Sequence, residues 1–484
     1  MRAFIYLGAG AVSWMGVAAW PELGFAAWPA LVLLLHAARA LAPFPGLIYV
    51  WMAFFLALTV GLGDSLPLPF PAKLPVTATT AIFATLPFVC DRLLVPHGGG
   101  GWLAHAVFPV AWVAVEFAVA RLTPYSTWGA LAYTQVCNKP LLQVASITGL
   151  FGVSFMVACG VATIDTSWET GALGLPAAVY GLALMLILGF GVVRLRSFRP
   201  GRAVRVAALT HPTDLMPPDE MPRLDEGRIT PEEYDGVRAK LACLQEWFLD
   251  TARREARAGA RLVAWAEGNL LVLQCDEQMF LQRAAALARE EGVYLLMGLA
   301  TIHDGSDKPF ENKAILLCPD GSTAFSYRKS RPVPGWEAGI IRRGDGRLPA
   351  ASTSLGRLGA AICFELDFPH YMRQLGRAGI DLLIVPANDW LAIKQRHLDM
   401  AIVRAVENGT PMLRAASSGV SAAVDRLGRV LASSDAFVAG GRALVAQLPL
   451  GGVRTFYGRV GDVFAWLCTA ALAAFIFGHL VARS

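Results

Sequence analysis

The feature that most constrains this chain is a succession of long apolar segments over its first 193 residues, followed by a polar region and one last apolar segment. A helix needs about 20 apolar residues to cross a bilayer core, and helices satisfy their own backbone polar groups there. We therefore predict eight membrane-spanning helices. They lie at about 3–20, 25–42, 46–62, 75–95, 102–121, 143–165, 172–193 and 462–481.

The composition supports a membrane protein and argues against two other classes. Charged residues make up 16% of the chain and hydrophobic residues 55%, whereas soluble domains usually have about 25% charged residues. The net charge of +5 is spread along the chain, without the basic and aromatic clusters typical of nucleic-acid binding. The eight cysteines include no CxxC pair and the eight histidines are scattered, so we expect no metal and no cofactor.

The sequence of the polar region, 203–455, is typical of an α/β domain. Helical segments lie between short apolar runs of strand length, and the clearest helix is predicted from Pro231 to about Ala258 behind a Thr230 cap. Alternating strands and helices predict a sheet covered by helices. The predicted strands are 204–209, 262–266, 293–299, 314–318, 381–388, 412–416 and 420–424. We thus predict a transmembrane domain at 1–202, a catalytic domain at 203–455 and a C-terminal membrane helix at 456–484.

The number of spans predicts on which side of the membrane the domain lies. Seven spans before the domain and one after it place it opposite the N-terminus. Arg2, Arg39 and Arg92 then lie on the cytoplasmic side, as the positive-inside rule prefers, whereas the arginines at 194–202 lie on the far side against that rule. Because long domains translocate despite flanking charge, we expect the domain on the side of the membrane opposite the cytoplasm.

Three residues of the polar region are candidates for acyl-transfer chemistry. Glu267 follows the apolar run "LVAWA", Lys329 begins "KSRPVPGWE", and Cys363 ends the apolar run "AAIC" at a predicted strand end. A thiol has a pKa of about 8.5, so it needs a base and a positive neighbour to act as a nucleophile near neutral pH. A surface role for the glutamate and the lysine, and a buried structural role for the cysteine, are the alternatives from these residues alone.

The order and context of these residues resemble the nitrilase superfamily, and the flanking membrane helices make the chain similar to the bacterial apolipoprotein N-acyltransferases. The resemblance implies a four-layer αββα sandwich in which Glu267 is the general base, Lys329 stabilises the oxyanion and Cys363 is the nucleophile. It also implies supporting roles for Glu337, eight residues after the lysine, and for Glu365 in the position of the C-Y-E glutamate.

The resemblance extends beyond these segments and has departures. "NDW" (388–390), the segment 404–430 and "TFYGRVGD" (455–462) resemble later parts of the family, and 112–122 and 140–155 resemble its membrane half. Phe364 stands where the family usually has tyrosine, and Ala266 where it has proline. The Phe364 N–H is still expected to be an oxyanion donor.

The implied reaction transfers an acyl chain from a membrane phospholipid, through a Cys363 thioester, to the α-amine of a diacylated lipoprotein. Because both substrates stay in the bilayer, we expect the thiol near the membrane interface. Trp336 and Trp390 are candidates for a lipid entrance, with ordinary packing as the alternative. The resemblance further implies a bacterial inner membrane protein with this domain on the periplasmic side. We expect a monomer. The alternative functions are a membrane-tethered nitrilase-like amidase or hydrolase, and a transporter or scaffold with a degenerate domain.

Overall fold

The structure is a computed structural model that describes residues 1–95, 101–199, 201–211, 231–303, 308–438 and 443–483, without the side chains of 231–235, 237 and 336. The chain forms two compact units, Met1–Phe198 with Val460–Ser484, and Arg199–Arg459. The helices of the described residues, in chain order, are α1 (Arg2–Ala19), α2 (Ala27–Ala40), α3 (Pro43–Gly61), α4 (Phe70–Leu94), α5 (Trp102–Leu122), α6 (Lys139–Leu142), α7 (Ala145–Thr148), α8 (Leu150–Thr170), α9 (Leu175–Arg196), α10 (Pro231–Arg257), α11 (Gln274–Glu291), α12 (Trp336–Ile340), α13 (Pro369–Met372), α14 (Gln374–Ala378), α15 (Lys394–Asn408), α16 (Phe456–Val460) and α17 (Val463–Val481).

The first unit contains the predicted membrane helices. Among the described residues, 8 helices are long and apolar enough to cross a membrane. They are α1, α3, α4, α5, α8, α9, α17 and the segment Pro21–Ala40, which joins a 3₁₀ turn to α2. The predicted number is confirmed. The sixth span begins at Leu150 rather than near residue 143, because Gly149 has a φ of 71° that ends α7 and starts a new helix.

A buried ionic cluster joins four helices of this unit. Arg39 of α2, whose side chain is 6% exposed, donates two hydrogen bonds to Asp91 of α4 at 2.8 and 2.9 Å. It also donates to Asp165 of α8 at 2.8 Å and to the Ala104 carbonyl of α5 at 3.0 Å. His36 contacts the same Asp165 at 2.9 Å. Because an ionisable group among apolar helices needs a partner, this cluster fixes how the four helices pack.

The second unit contains two sheets. Its strands, in chain order, are β1 (Ala203–Leu209), β2 (Leu262–Trp265), β3 (Leu270–Leu273), β4 (Tyr294–Ile302), β5 (Phe310–Leu317), β6 (Thr323–Arg328), β7 (Ala350–Thr353), β8 (Gly356–Ala360), β9 (Leu382–Asn388), β10 (Met412–Ser417), β11 (Val420–Val424), β12 (Val430–Asp435) and β13 (Ala443–Pro449). One sheet has the order β13-β1-β2-β4-β5-β6, with β3 paired to β4, and the other has the order β12-β11-β10-β9-β8-β7.

The layers follow from which faces are apolar. Val206, Leu296, Leu358 and Leu413, two from each sheet, belong to one core between the sheets. The outer face of the first sheet forms another core with α10 and α11, and α15 packs against the second sheet through β11. The predicted αββα arrangement is therefore confirmed. All seven predicted strands form, and α10 matches the predicted helix, although Thr230 lies outside the described residues.

Candidate active site

A buried lysine joins two carboxylates at the centre of the site. Glu267 lies in the turn after β2, and Lys329 directly follows β6. The Lys329 Nζ lies 2.7 Å from Glu267 Oε1 and 2.7 Å from Glu337 Oε1, which comes from α12. Asn312 of β5 donates to Glu267 Oε1 at 2.6 Å and lies 3.5 Å from Glu337 Oε1. These four side chains form one hydrogen-bonded group that holds the ammonium in place.

Cys363 occupies a sharp turn at the end of a strand. β8 ends at Ala360, and a 3₁₀ turn runs from Cys363 to Asp367. Cys363 has a φ of 47°, in the left-handed region that non-glycine residues rarely adopt, and such strain costs on the order of 1–3 kcal/mol. The residue is 7% exposed, and its thiol donates to the Asn388 carbonyl at 3.5 Å. Strained positions of this kind are concentrated at functional sites.

The charges around the thiol determine its resting state. Burial and the Glu267 carboxylate raise the pKa of Cys363 well above its ordinary value, and the Lys329 ammonium opposes them. Burial by itself would lower the pKa of Lys329, but Glu267 and Glu337 outweigh it and raise that pKa. The resting site therefore holds a neutral thiol beside a charged lysine, and a base must accept the thiol proton during the reaction.

Glu365 connects the segment after Lys329 to the segment before Cys363. Its Oε1 accepts hydrogen bonds from the Ser330 N–H at 2.6 Å, the Arg331 N–H at 3.3 Å and the Tyr327 hydroxyl. Its Oε2 accepts from the Ile362 N–H at 2.8 Å. Burial raises the pKa of this carboxyl. Glu365 thus holds together the two backbone segments that carry the proposed oxyanion stabiliser and nucleophile.

Three further residues were predicted to have roles at the site: Phe364, Trp336 and Trp390. Phe364 is buried and packs edge-to-face on Phe368, with ring centroids 5.2 Å apart. The Trp336 backbone begins α12, but its side chain lies outside the described residues. Trp390 is half-buried, two residues after Asn388 at the end of β9. The lipid-entrance role of the two tryptophans stays a prediction.

Several polar residues around the site were not predicted from the sequence. Asn312 lies in a polar run, "ENK", that precedes the apolar "AILL" of β5, so the sequence does not distinguish it from its polar neighbours. Ser417 of β10 donates to the Glu267 carbonyl at 3.2 Å, and so links the second sheet to the turn that carries the glutamate. Asp389 lies in the segment "NDW" but was not predicted to have a role of its own; it accepts two hydrogen bonds from Arg414.

The fold and the site together define a carbon–nitrogen hydrolase type of enzyme domain, attached to membrane-spanning helices. Residues 233–457 match the family model described as carbon-nitrogen hydrolase, and residues 9–163 match the model of the apolipoprotein N-acyltransferase N-terminal domain. An amidase from Nesterenkonia sp. is a similar solved structure, with 20% identity and a TM-score of 0.42 over 56% of this chain and 97% of that one.

Curated relatives match both halves of the chain. The apolipoprotein N-acyltransferase of Geobacter metallireducens is 30% identical over 395 residues, which cover 76% of this chain and 72% of the relative. That of Shewanella oneidensis is 25% identical over 451 residues, covering 84% and 80%. The chain belongs to the apolipoprotein N-acyltransferase family. It is a multi-pass membrane enzyme whose family acts on lipid and lipoprotein substrates.

Proposed function

We propose that Cys363 accepts an acyl chain from a membrane phospholipid as a thioester and passes it to the α-amine of the lipidated N-terminal cysteine of a diacylated lipoprotein. This proposal rests mainly on one contact: the Lys329 ammonium lies 2.7 Å from the Glu267 carboxylate. Both charges act on the Cys363 thiol. A carboxylate, an ammonium and a thiol are the groups that acyl transfer through cysteine requires.

In the first half-reaction, Glu267 accepts the thiol proton as the sulfur of Cys363 attacks the ester carbonyl of the phospholipid. A tetrahedral intermediate forms and its carbon–oxygen bond to the glycerol breaks. The proton on Glu267 passes to the departing oxygen, which leaves as the hydroxyl of a lysophospholipid. The acyl chain remains on Cys363 as a thioester.

In the second half-reaction, the neutral α-amine of the lipoprotein attacks the thioester carbonyl. The amine loses a proton to Glu267 and the carbon–sulfur bond breaks. The sulfur leaves as a thiolate and takes the proton back, so the products are an amide and the resting thiol. No water molecule is consumed, which separates this transfer from hydrolysis.

Lys329 and the Phe364 N–H would stabilise the oxyanion of each tetrahedral intermediate. One such donor contributes about 3 kcal/mol to the transition state when it is fixed in advance. Lys329 is fixed by Glu267 and Glu337, and the Glu337 carboxylate is itself held by the Val333 N–H. We therefore assign Glu337 a positioning role towards the ammonium.

We further propose that the enzyme resides in a bacterial inner membrane with its catalytic unit on the periplasmic side. Seven described spans precede the catalytic unit and one follows it, which supports this orientation. All three proposed catalytic groups come from one chain, so the reaction needs no second copy and a monomer suffices.

The proposal is tested by the fate of a labelled acyl chain. Purified protein is incubated with a phospholipid that carries one isotopically labelled chain, and a diacylated lipopeptide is then added. We expect the label in an amide on the lipopeptide. A Cys243→Ala variant, which alters an exposed thiol on α10, should behave as the wild type. Release of labelled fatty acid at the same rate with and without lipopeptide would instead indicate a hydrolase.

A further inference from the structure

A second charged cluster lies next to the nucleophile, outside the group formed by Glu267 and Lys329. Asp389 follows β9, and both of its carboxylate oxygens accept hydrogen bonds from the buried Arg414 of β10, at 2.7 and 2.8 Å. The His397 Nδ1 of α15 lies 2.8 Å from Asp389 Oδ1. Asp389 thus links the end of β9 to Arg414 of β10 and to His397 of α15.

This cluster touches both segments that surround the thiol. Cys363, Asp389 and His397 each have a polar atom within 4.8 Å of the other two. The His397 Nε2 lies 4.0 Å from Asp367 Oδ2, at the other end of the 3₁₀ turn that begins with Cys363. Asp389 directly follows Asn388, whose carbonyl accepts the thiol hydrogen bond. His397 therefore lies between the turn that carries the nucleophile and the strand end that contacts it.

A thiol, an imidazole and a carboxylate at such distances also have the chemistry of a metal site. Here the Arg414 guanidinium already donates to both oxygens of Asp389. A divalent cation bound to that carboxylate would lie close to a buried positive charge and would be repelled. The hydrogen-bonded arrangement favours a structural task for the imidazole over metal binding.

We propose that His397 is a positioning residue that holds the Cys363 turn against the end of β9, so that the sulfur is aimed for attack. This inference rests on the proposed function, in which Cys363 is the nucleophile. A cationic imidazole attracts Asp367 on one segment and Asp389 on the other, and fixes both. Burial and the charge of Arg414 would by themselves lower the pKa of His397. The carboxylates of Asp389 and Asp367 outweigh them, so the pKa of His397 is raised.

The test measures the single-turnover rate of Cys363 acylation in full-length His397→Gln protein, with phospholipid varied through saturation. Glutamine keeps a polar side chain but cannot carry the charge that bridges Asp367 and Asp389. Because misplacing a reacting atom by about 1 Å can cost about a hundredfold in rate, we expect acylation at saturation to be about tenfold to a hundredfold slower. The phospholipid concentration for half-maximal rate should not change.

Asp425→Asn is the matched control. Asp425, like Asp367 and Asp389, is a buried aspartate in an ion pair; it directly follows β11 and pairs with Arg429 at 2.6 Å. Val424, the last residue of β11, pairs with Met412 at one end of β10. Asn388 pairs with Ser417 at the other end of β10, so Asp425 lies at the end of β10 away from Asn388. Its variant should acylate Cys363 at the wild-type rate, even if its thermal stability falls.

The outcomes separate this inference from the proposed function. If wild-type protein forms no acyl adduct, the proposed function itself is wrong. If it does and His397→Gln matches its rate, or loses rate only through a higher half-saturating concentration, the positioning role is wrong while the function stands. If His397→Gln does not fold, Asp367→Asn decides, since it removes the carboxylate on the nucleophile turn: a slower rate supports the inference and an unchanged rate overturns it.

Discussion

The Lys329 ammonium lies 2.7 Å from the Glu267 carboxylate and at the same distance from that of Glu337, with 1% of the lysine side chain exposed. One buried cation therefore serves two carboxylates. Removing it would leave the buried carboxyl group of Glu267 and the half-buried one of Glu337 close together without a counter-ion, so stability and activity depend on the same side chain.

Replacing Lys329 with methionine should reduce the acyl-transfer rate by about a thousandfold or more, because an oxyanion donor and the partner of Glu267 are both lost. Breaking a buried ion pair also costs about 3–5 kcal/mol of unfolding free energy. The lipopeptide acylation assay and thermal unfolding in detergent measure the two effects on the same preparation.

Lys313→Met is the control for that variant. Lys313 is a buried lysine of the neighbouring strand β5 and pairs with Glu277 and Glu311. Its replacement should lower stability in the same way and leave the acylation rate of the folded protein unchanged. An active Lys329→Met protein, or an equal loss of activity in the control, would contradict the role given to Lys329.

Glu365→Gln should impair acylation through the backbone rather than through charge. The two oxygens of Glu365 accept from the N–H groups of Ser330 and Ile362 on opposite sides. An amide has only one acceptor oxygen, so its NH₂ must face one of these donors and one segment is released. We expect a slower single-turnover acylation rate. Tyr327→Phe removes only one hydroxyl donor and should have a smaller effect, and the opposite ranking would count against this reading.

The pH dependence of Cys363 alkylation follows from the environment of the thiol. Because burial and Glu267 raise its pKa while Lys329 only partly offsets them, the thiolate forms at higher pH than in a free cysteine. The iodoacetamide rate at Cys363, followed by peptide mass spectrometry, should therefore rise with pH and have its midpoint above about 8.5. In Lys329→Met the midpoint should move higher still. A midpoint near neutrality in the resting enzyme would show that the thiol is ionised before substrate binds.

Arg39→Met should destabilise the membrane unit. The substitution leaves the buried carboxylates of Asp91 and Asp165 without the guanidinium that joins them. A loss of about 3–5 kcal/mol is typical when one partner of a buried pair is removed. Arg2→Met, at an exposed position in α1, is the control and should unfold at the wild-type temperature. Equal unfolding temperatures for the two variants would argue against a stabilising ionic cluster.

The parts of the fold with a strong periodic or apolar pattern were predictable. The membrane helices and the central strands, such as β4 and β9, are long and apolar, so their sequences indicate them directly. The strands β3, β6, β7, β12 and β13 were not predicted, and of β8 only its end near Cys363 was predicted. β7 has four residues and β12 ends in "SSD", and such segments become strands through pairing with neighbours rather than through their own composition.

The candidate site was predictable only where its residues fall in segments that resemble the family. Glu267, Lys329 and Cys363 could be named in this way, but their neighbours could not. Asn312 reaches Glu267 because β5 pairs with β4, which in turn pairs with β2, the strand that Glu267 follows. Ser417 reaches the Glu267 carbonyl from the other sheet. These contacts depend on how distant strands are ordered, which a single sequence does not reveal.

The proposed role of Cys363 as the nucleophile is tested most directly by a mass measurement of the acyl-enzyme. Wild-type protein is mixed with the labelled phospholipid without acceptor and quenched, and its peptides are mapped. We predict one labelled acyl group on the peptide containing Cys363, released by hydroxylamine as a thioester should be, and none in Cys363→Ala. An acyl group on another residue, or an undiminished adduct in Cys363→Ala, would contradict the assignment of Cys363 as the nucleophile.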